Sequence, residues 1–280
     1  MFKRLKKKRV RREIISFLIR LAVALLVISP LLMGLSYSFR SDSEIMTTRG
    51  VTLLPREWTL ENYEWVFQYV PIGRYIFNSI IQYVLIMGSQ IILSSLAGYA
   101  FACFEFKGKK VLFNAILFSM MIPGEVTLIA NYLQVTGMGL SNTYLGMVIT
   151  SLVSSMGIFM LRQFYKSLPV ELMEAARLDG CGRLRYWLRI ALPLSQPTLA
   201  SLALFEFVNI YNRYMWPLLM ADNEDMYTIQ IGMAMLKGAE GDNLGVVLAG
   251  AVVCIVPVLI VFILGQRYIV AGMVSGGVKE

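Results

Sequence analysis

Six stretches of this chain are long and apolar enough to cross a bilayer as helices, which takes roughly 17–25 mostly apolar residues each. They fall at about residues 14–39, 75–104, 111–133, 144–161, 199–220 and 244–264. Polar segments separate them: a basic stretch at 1–13, long segments at 40–74 and 162–198, and a tail at 266–280. The pattern predicts an all-α integral membrane protein with six transmembrane helices, whose core is residues 75–265.

Lysine and arginine set the direction of the spans. The first twelve residues hold eight of them, the turn after the second span adds Lys107, Lys109 and Lys110, and the 162–198 segment adds six more. The segments on the other side, 40–74 and 221–243, hold Arg40, Arg49, Arg56, Arg74 and Lys237. Cytoplasmic loops accumulate such charges, so both termini and residues 162–198 are expected in the cytoplasm of a multi-pass bacterial plasma-membrane protein. The apolar part of the first span is too long for a signal-peptide core, and it reads as an uncleaved anchor. The basic N-terminus reads as an orientation signal resting on anionic lipid. It lacks the aromatic interleaving that nucleic acid would call for.

Details within the segments sharpen the picture. Trp58, Tyr63 and Trp65, mixed with acidic residues, predict a short amphipathic element on the outer surface. Ser94, Gly98 and Ala102 on the second span, and Gly245 and Ala249 on the sixth, form small-residue rows that let a neighbouring backbone come close. Pro123 and Gly124 interrupt the third span and predict a kink, with Glu125 turned toward a path rather than lipid. On the fifth span Glu206, Asn209, Arg213 and Trp216 follow i, i+3, i+7, i+10 spacing and are expected on one helix face. A straight helix would separate Glu206 and Arg213 by about 10 Å of rise, so each should meet another group, from the third span, with Glu125 one candidate, or from a partner subunit. Such a stripe suits hydroxyl-rich substrates, and equally suits a tie between helices.

The 162–198 segment is the longest polar interruption inside the core. Its "PVELMEAARLDG" opens with Pro169 and stops at Asp179-Gly180, the punctuation of a short helix. Leu172, Ala175, Ala176 and Asp179 recur at three- and four-residue spacing, giving a small apolar face able to dock into a partner's groove. "RLRYWLRIALP" then predicts a second amphipathic helix, with Trp187 and the arginines at the lipid interface.

Composition removes several alternatives. Of 280 residues, 57% are hydrophobic and 16% charged, against about 25% charged in soluble domains. There is no histidine, and Cys103, Cys181 and Cys254 lack disulfide or metal-ligand spacing. Neither a G-x-x-x-x-G-K-[ST] phosphate loop nor a G-x-S-x-G nucleophile motif occurs. No catalytic, metal or cofactor site of its own is therefore expected.

One pattern goes further. E-A-A, three residues, G, nine residues and I-x-L-P match at Glu174, Ala175, Ala176, Gly180, Ile190, Leu192 and Pro193. This resembles the cytoplasmic coupling loop of inner-membrane permease subunits of binding-protein-dependent ABC importers. "LRQFYKSLPVELMEAARLDG", "NIYNRYMWPLL" and "QRYIVAGMVSGGVKE" are similar to the carbohydrate branch of that family, the maltose-permease-like type I fold, over about residues 73–280. The resemblance implies a second homologous permease, two ABC ATPase subunits that carry the ATP and Mg, and an extracytoplasmic substrate-binding protein. It further implies that Glu174 is the polar contact to the ATPase, that Ala175 and Ala176 allow close approach, that Asp179 caps or pairs locally, and that Gly180 allows the turn. The tail residues Gly276, Gly277, Val278 and Lys279, read from composition as an extended segment, would reach between the ATPase subunits.

The function expected is thus ATP-driven import of a carbohydrate, an oligosaccharide, through a path of which this chain forms half. Glycerol-3-phosphate or a related phosphodiester is the alternative substrate within the same architecture. An ion-coupled secondary transporter using the intramembrane charges is the remote alternative, and it leaves the 162–198 segment unexplained.

Overall fold

A computed structural model of the chain describes residues 2–47, 52–240 and 243–277, with side chains over 13–47, 52–240 and 243–266. In chain order the helices are α1 (Phe2–Ser38), α2 (Asp42–Thr47), α3 (Glu61–Tyr69), α4 (Ile72–Cys103), α5 (Lys109–Ser119) and α6 (Gly124–Gly137). Then come α7 (Tyr144–Val148), run on as a 3-10 turn through Ser151, α8 (Ser155–Ser167) and α9 (Val170–Leu178). A short α10 (Arg183–Tyr186) continues through a π-helical turn, Trp187–Ala191, into α11 (Leu192–Leu194). The chain closes with α12 (Gln196–Tyr211), α13 (Met215–Met220), α14 (Ile229–Ala239) and α15 (Leu244–Gly277).

Among the described residues, the first, second and sixth spans are the single helices long and apolar enough to cross a membrane. The third and fourth are bent pairs, with a bend of 98° between α5 and α6 and of 50° between the α7 segment and α8. α12, which opens the fifth span, meets the Arg183–Leu194 run before it at a 70° bend, and residues 212–214 separate it from α13. Six spans result when each pair counts as one. The kink expected at Pro123 is therefore a near right-angle break: Pro123 is extended, at φ −60 and ψ 137, and α6 starts afresh after it. Proline cannot donate a backbone bond, and hydropathy carries no information about helix direction.

The chain divides into two compact units, one of residues 1–71 with 233–255, the other of 72–232 with 256–280. In the first, the segment after α1 is a packed cap rather than a loose surface element. Arg40 is wholly buried there, with Nη2 donating to Thr52 O at 2.6 Å and Ser36 Oγ at 3.0 Å, and Nη1 to Thr52 Oγ1 at 2.7 Å. Glu44, 3.8 Å from its Nε, supplies the countercharge. Asn62 on α3 donates to Ser38 O and Arg40 O at 3.0 and 2.7 Å, fixing α3 against the end of α1. A Cβ at Gly245 would run into the Asn62 side chain, so what the small residue on the sixth span admits here is a side-chain amide and not a neighbouring backbone. Ala249, one turn on, is fully buried.

The second unit is organised around α4 and α8. A Cβ at Gly98 would lie 3.0 Å from both Arg162 N and Leu161 Cβ, so the two backbones meet there. Ser94, one turn earlier, accepts the Ser154 backbone N–H at 3.1 Å. The small row read from the sequence thus seats α8 on α4. Among the described residues three apolar clusters fill the unit: one around Tyr99, Leu161, Tyr165, Trp187 and Leu202, a second around Ile86, Met147, Ile210, Trp216 and Met220, and a smaller one of Phe101, Phe113 and Ile158.

The tail differs from expectation. α15 runs as helix to Gly277, so Gly272, Gly276 and Gly277 have helical rather than extended backbone. Extending an existing helix costs only one residue's ordering per added bond, which offsets the modest glycine penalty. Val278 and Lys279 lie outside the described residues.

Candidate functional site

Two places bring the candidate residues together. The first is α9. Pro169 stands at its N-cap with extended geometry, and α9 follows as the sequence punctuation predicts. At the other end Gly180 has φ +73. The Gly180 N–H donates to Arg177 O at 3.0 Å and the Cys181 N–H to Ala176 O at 2.8 Å. This pair of bonds satisfies the last helix carbonyls, and the left-handed residue between them costs least as glycine. Asp179 is the C-cap, its N–H donating to Ala175 O at 3.0 Å, with its side chain exposed.

The face expected on α9 is divided by the fold. Glu171, Leu172, Glu174, Ala175 and Leu178 are exposed, Leu178 at 90%. Ala176 is turned inward at 6% exposure, beside Met173, Tyr99 and Tyr186. Its small side chain allows close approach to this chain's own aromatic rings, which corrects the docking role expected of it. Periodicity grouped Ala175 with Ala176 because they share a broad face; the edge of the buried strip runs between them.

The second helix also differs. Trp187 is 7% exposed, not at the lipid interface, and its Nε1–H donates to Ser95 Oγ at 3.0 Å. Ser95 Oγ in turn lies 2.6 Å from the Tyr165 hydroxyl. An indole held by a buried partner is the usual condition for a core tryptophan. Ala191 is fully buried, Ile190 and Leu192 pack partly buried against the same cluster, and Pro193 is exposed in α11. Arg185 and Arg189 are exposed, while the Arg183 guanidinium sits 5.0 Å from the Phe104 ring centroid. The motif residues therefore have two placements: Glu174, Ala175, Asp179, Gly180 and Pro193 at the surface, and Ala176, Ile190 and Leu192 in the root that joins the segment to α4 and α8.

The second place is a cavity of about 640 Å³ at the breaks of the third, fourth and fifth spans. Glu125, Thr127, Asn131, Ser151, Arg213 and Trp216 all line it. Glu125 is exposed in the first turn of α6, just past the 98° break. The single face expected on the fifth span does not exist, because α12 stops at Tyr211 and α13 begins at Met215. Arg213 falls in the gap, and Asn209 is exposed outside the cavity lining.

Three of the four fifth-span residues instead bond to one stretch of the fourth span. Glu206, 6% exposed, accepts from Ser154 Oγ at 2.9 Å; Arg213 Nη1 donates to Ser151 Oγ at 2.5 Å; Trp216 Nε1 donates to Met147 O at 3.1 Å. Glu206 and Arg213 have separate partners, as the spacing required, but these lie on the fourth span and not on the third. Helix breaks at membrane depth survive only where protein groups satisfy the backbone. Ser154 does this directly, its Oγ accepting the Gly157 N–H at 3.0 Å. These serines were missed in the sequence, although "TSLVSSMG" inside an apolar stretch is a run of small polar residues of the kind that fills such breaks. Among the described residues no group of three or more His, Cys, Asp and Glu could hold a metal ion.

The chain is 36% identical over 278 residues to the arabinooligosaccharides transport system permease protein AraQ of Halalkalibacterium halodurans, covering 97% of this chain and 99% of that one. It is 32% identical over 234 residues to the sn-glycerol-3-phosphate transport system permease protein UgpE of Brucella abortus, covering 80% and 83%. Its fold is similar to a crystal structure of a bacterial ABC transporter involved in the import of the acidic polysaccharide alginate. The TM-score is 0.78 over 91% of this chain and 95% of that one, at 24% identity. Residues 90–274, from the middle of α4 almost to the end of α15, match the binding-protein-dependent transport system inner membrane component. The broken spans, the E-A-A segment rooted on α4 and α8 and the match over most of the chain lead to one conclusion: this protein belongs to the family of inner-membrane permease components of binding-protein-dependent ABC transport systems.

Proposed function

We propose that this chain forms half of the path by which an ABC importer takes up an oligosaccharide. In this reading an extracytoplasmic binding protein delivers the sugar, a second homologous permease completes the path, and a pair of ATPase subunits supplies the energy from ATP and Mg. Both termini and the α9 segment lie on the cytoplasmic side, as the Lys and Arg distribution argues.

The observation that carries the substrate class is the lining of the 640 Å³ cavity. Thr127, Asn131, Thr150, Ser151 and Tyr214 offer hydroxyl and amide groups, Trp216 supplies an aromatic surface, and Glu125 opposes Arg213 in charge. Balanced charge with many neutral hydrogen-bonding groups suits a neutral polyol better than an anion. A glycerol phosphate would gain from Arg213 but meet Glu125 in the same cavity. The arabinooligosaccharide permease that this chain resembles over nearly its whole length supports the same choice.

Coupling rests on α9. Its exposed edge, Glu174 with Ala175 and Leu172, is free for a cleft on the ATPase, while Ala176 and the Trp187–Ser95–Tyr165 bonds anchor the root. A push on the edge is therefore delivered to α4 and α8.

The test is uptake by cells in which this chain is deleted and restored. Labelled arabinose-containing oligosaccharides should enter only when the chain is restored, and glycerol-3-phosphate uptake should not change. Restoration of glycerol-3-phosphate uptake alone would replace this reading with the phosphodiester one.

A further inference from the structure

Where α4 ends and α5 begins, a cavity of about 610 Å³ opens that shares no lining residue with the 640 Å³ cavity. It is lined by four cations, Lys109, Lys110, Arg162 and Lys166, with a single carboxylate, Glu105. That carboxylate is already engaged. Lys109 Nζ donates to Glu105 Oε1 at 2.9 Å and to Phe104 O at 2.7 Å, and the bond to Lys109 holds the Glu105 carboxyl below its usual range.

The other three cations keep their charge for the opening. Arg162 donates through Nε to Phe101 O at 3.4 Å, and its guanidinium carbon lies 3.8 Å from the Phe113 ring centroid. Neither contact neutralises it. Lys110 and Lys166 are exposed, and neither has a carboxylate partner among the described residues. α5 also starts here, after Gly108 in the left-handed region and without a side-chain cap, so its first N–H groups add positive potential. Beside the cations the surface becomes apolar: Val111 is 72% and Leu112 53% exposed on the first turn of α5.

We infer that this cavity binds the phosphodiester headgroup of an anionic membrane lipid, with an acyl chain along the exposed Val111 and Leu112. Basic pockets beside membrane helices have this chemistry, and the apolar surface next to the cations favours a lipid over a free phosphate or an acidic protein segment. The inference is independent of which substrate the path carries.

The test uses the protein purified in mild detergent with the subunits that accompany it. Native mass spectrometry follows retention of phosphatidylglycerol, phosphatidylcholine and inorganic phosphate, added separately. Phosphatidylglycerol should be retained over phosphatidylcholine. Lys110→Gln with Lys166→Gln should weaken that retention roughly 25-fold, at roughly fivefold per neutralised charge. Both side chains are exposed, so the variant should fold; Lys237→Gln, outside the cavity, should change nothing. Equal retention of the two lipids, unchanged retention in the double variant, or retention of inorganic phosphate without lipid preference overturns the assignment. Loss of a co-purifying subunit with lipid retention intact also overturns it, in favour of a protein partner.

Discussion

The indole N–H of Trp187 reaches across ninety-two positions of sequence to donate to Ser95 Oγ at 3.0 Å. That bond fastens the segment carrying the E-A-A motif to the middle of the second span. Ser95 continues to Tyr165 at 2.6 Å, so α4, α8 and the π-helical turn at Trp187 share one buried polar junction.

Removing this junction should loosen the coupling segment. Trp187→Phe keeps most of the ring but deletes the donor, and should cost about 1 kcal/mol of stability. Ser95→Ala should cost a similar amount, and the double variant should cost less than the sum of the two. Thermal unfolding in detergent measures all three, and strict additivity would show that the two residues act independently.

The close contact of α4 with α8 makes a size prediction. Gly98→Val places a branched side chain against the Arg162 and Ile158 backbone and Leu161 Cβ, and should destabilise by about 1–3 kcal/mol. Gly73→Ala, on the same helix with nothing within 4 Å, should be neutral or slightly stabilising. Yield and unfolding temperature of the two variants separate them.

Gly180 gives a backbone prediction. At φ +73, Gly180→Val should cost about 1–2 kcal/mol locally and disturb the end of α9. Gly180→Asn should be better tolerated, because asparagine visits this region more readily. ATP-driven uptake at equal membrane abundance should rank glycine, then asparagine, then valine.

For the fifth span, Trp216→Phe should lower stability and complex yield, because it removes the indole donor to Met147 O while the 3.4 Å bond from Gln82 Nε2 stays in place. The loss should be about 0.5–1.5 kcal/mol. Asn209→Ala should change stability by less than about 0.5 kcal/mol, since Asn209 is exposed. A raised KM for uptake in Asn209→Ala would place this residue on the path after all.

Much of this was legible beforehand, and the failures share a cause. Hydropathy marked six apolar stretches, three of which are single helices long enough to cross among the described residues, because the requirement for about twenty apolar residues is local. It could not show that three of them are broken, since Ser151 and Ser154 satisfy the breaks through partners more than fifty residues away. Spacing put Ala175 and Ala176 on one face but could not say which side met Tyr99 and Tyr186. Trp187 read as interfacial because arginines flank it, whereas its acceptor, Ser95, lies in another helix. Arg40 read as a loop charge, and its burial depends on Thr52 and Glu44 folding back over it. Proline and glycine signals at Pro169, Gly180 and Pro123 succeeded because they act through their own backbone.

The central claim is that a separate ATPase drives this permease through the exposed edge of α9, and Glu174→Ala tests it most directly. Glu174 is exposed, so the variant should reach the membrane at normal abundance. Losing a charged hydrogen-bonding contact worth about 1.5–3 kcal/mol should lower ATP-driven oligosaccharide uptake about tenfold or more. Wild-type uptake by Glu174→Ala at equal abundance would contradict the account.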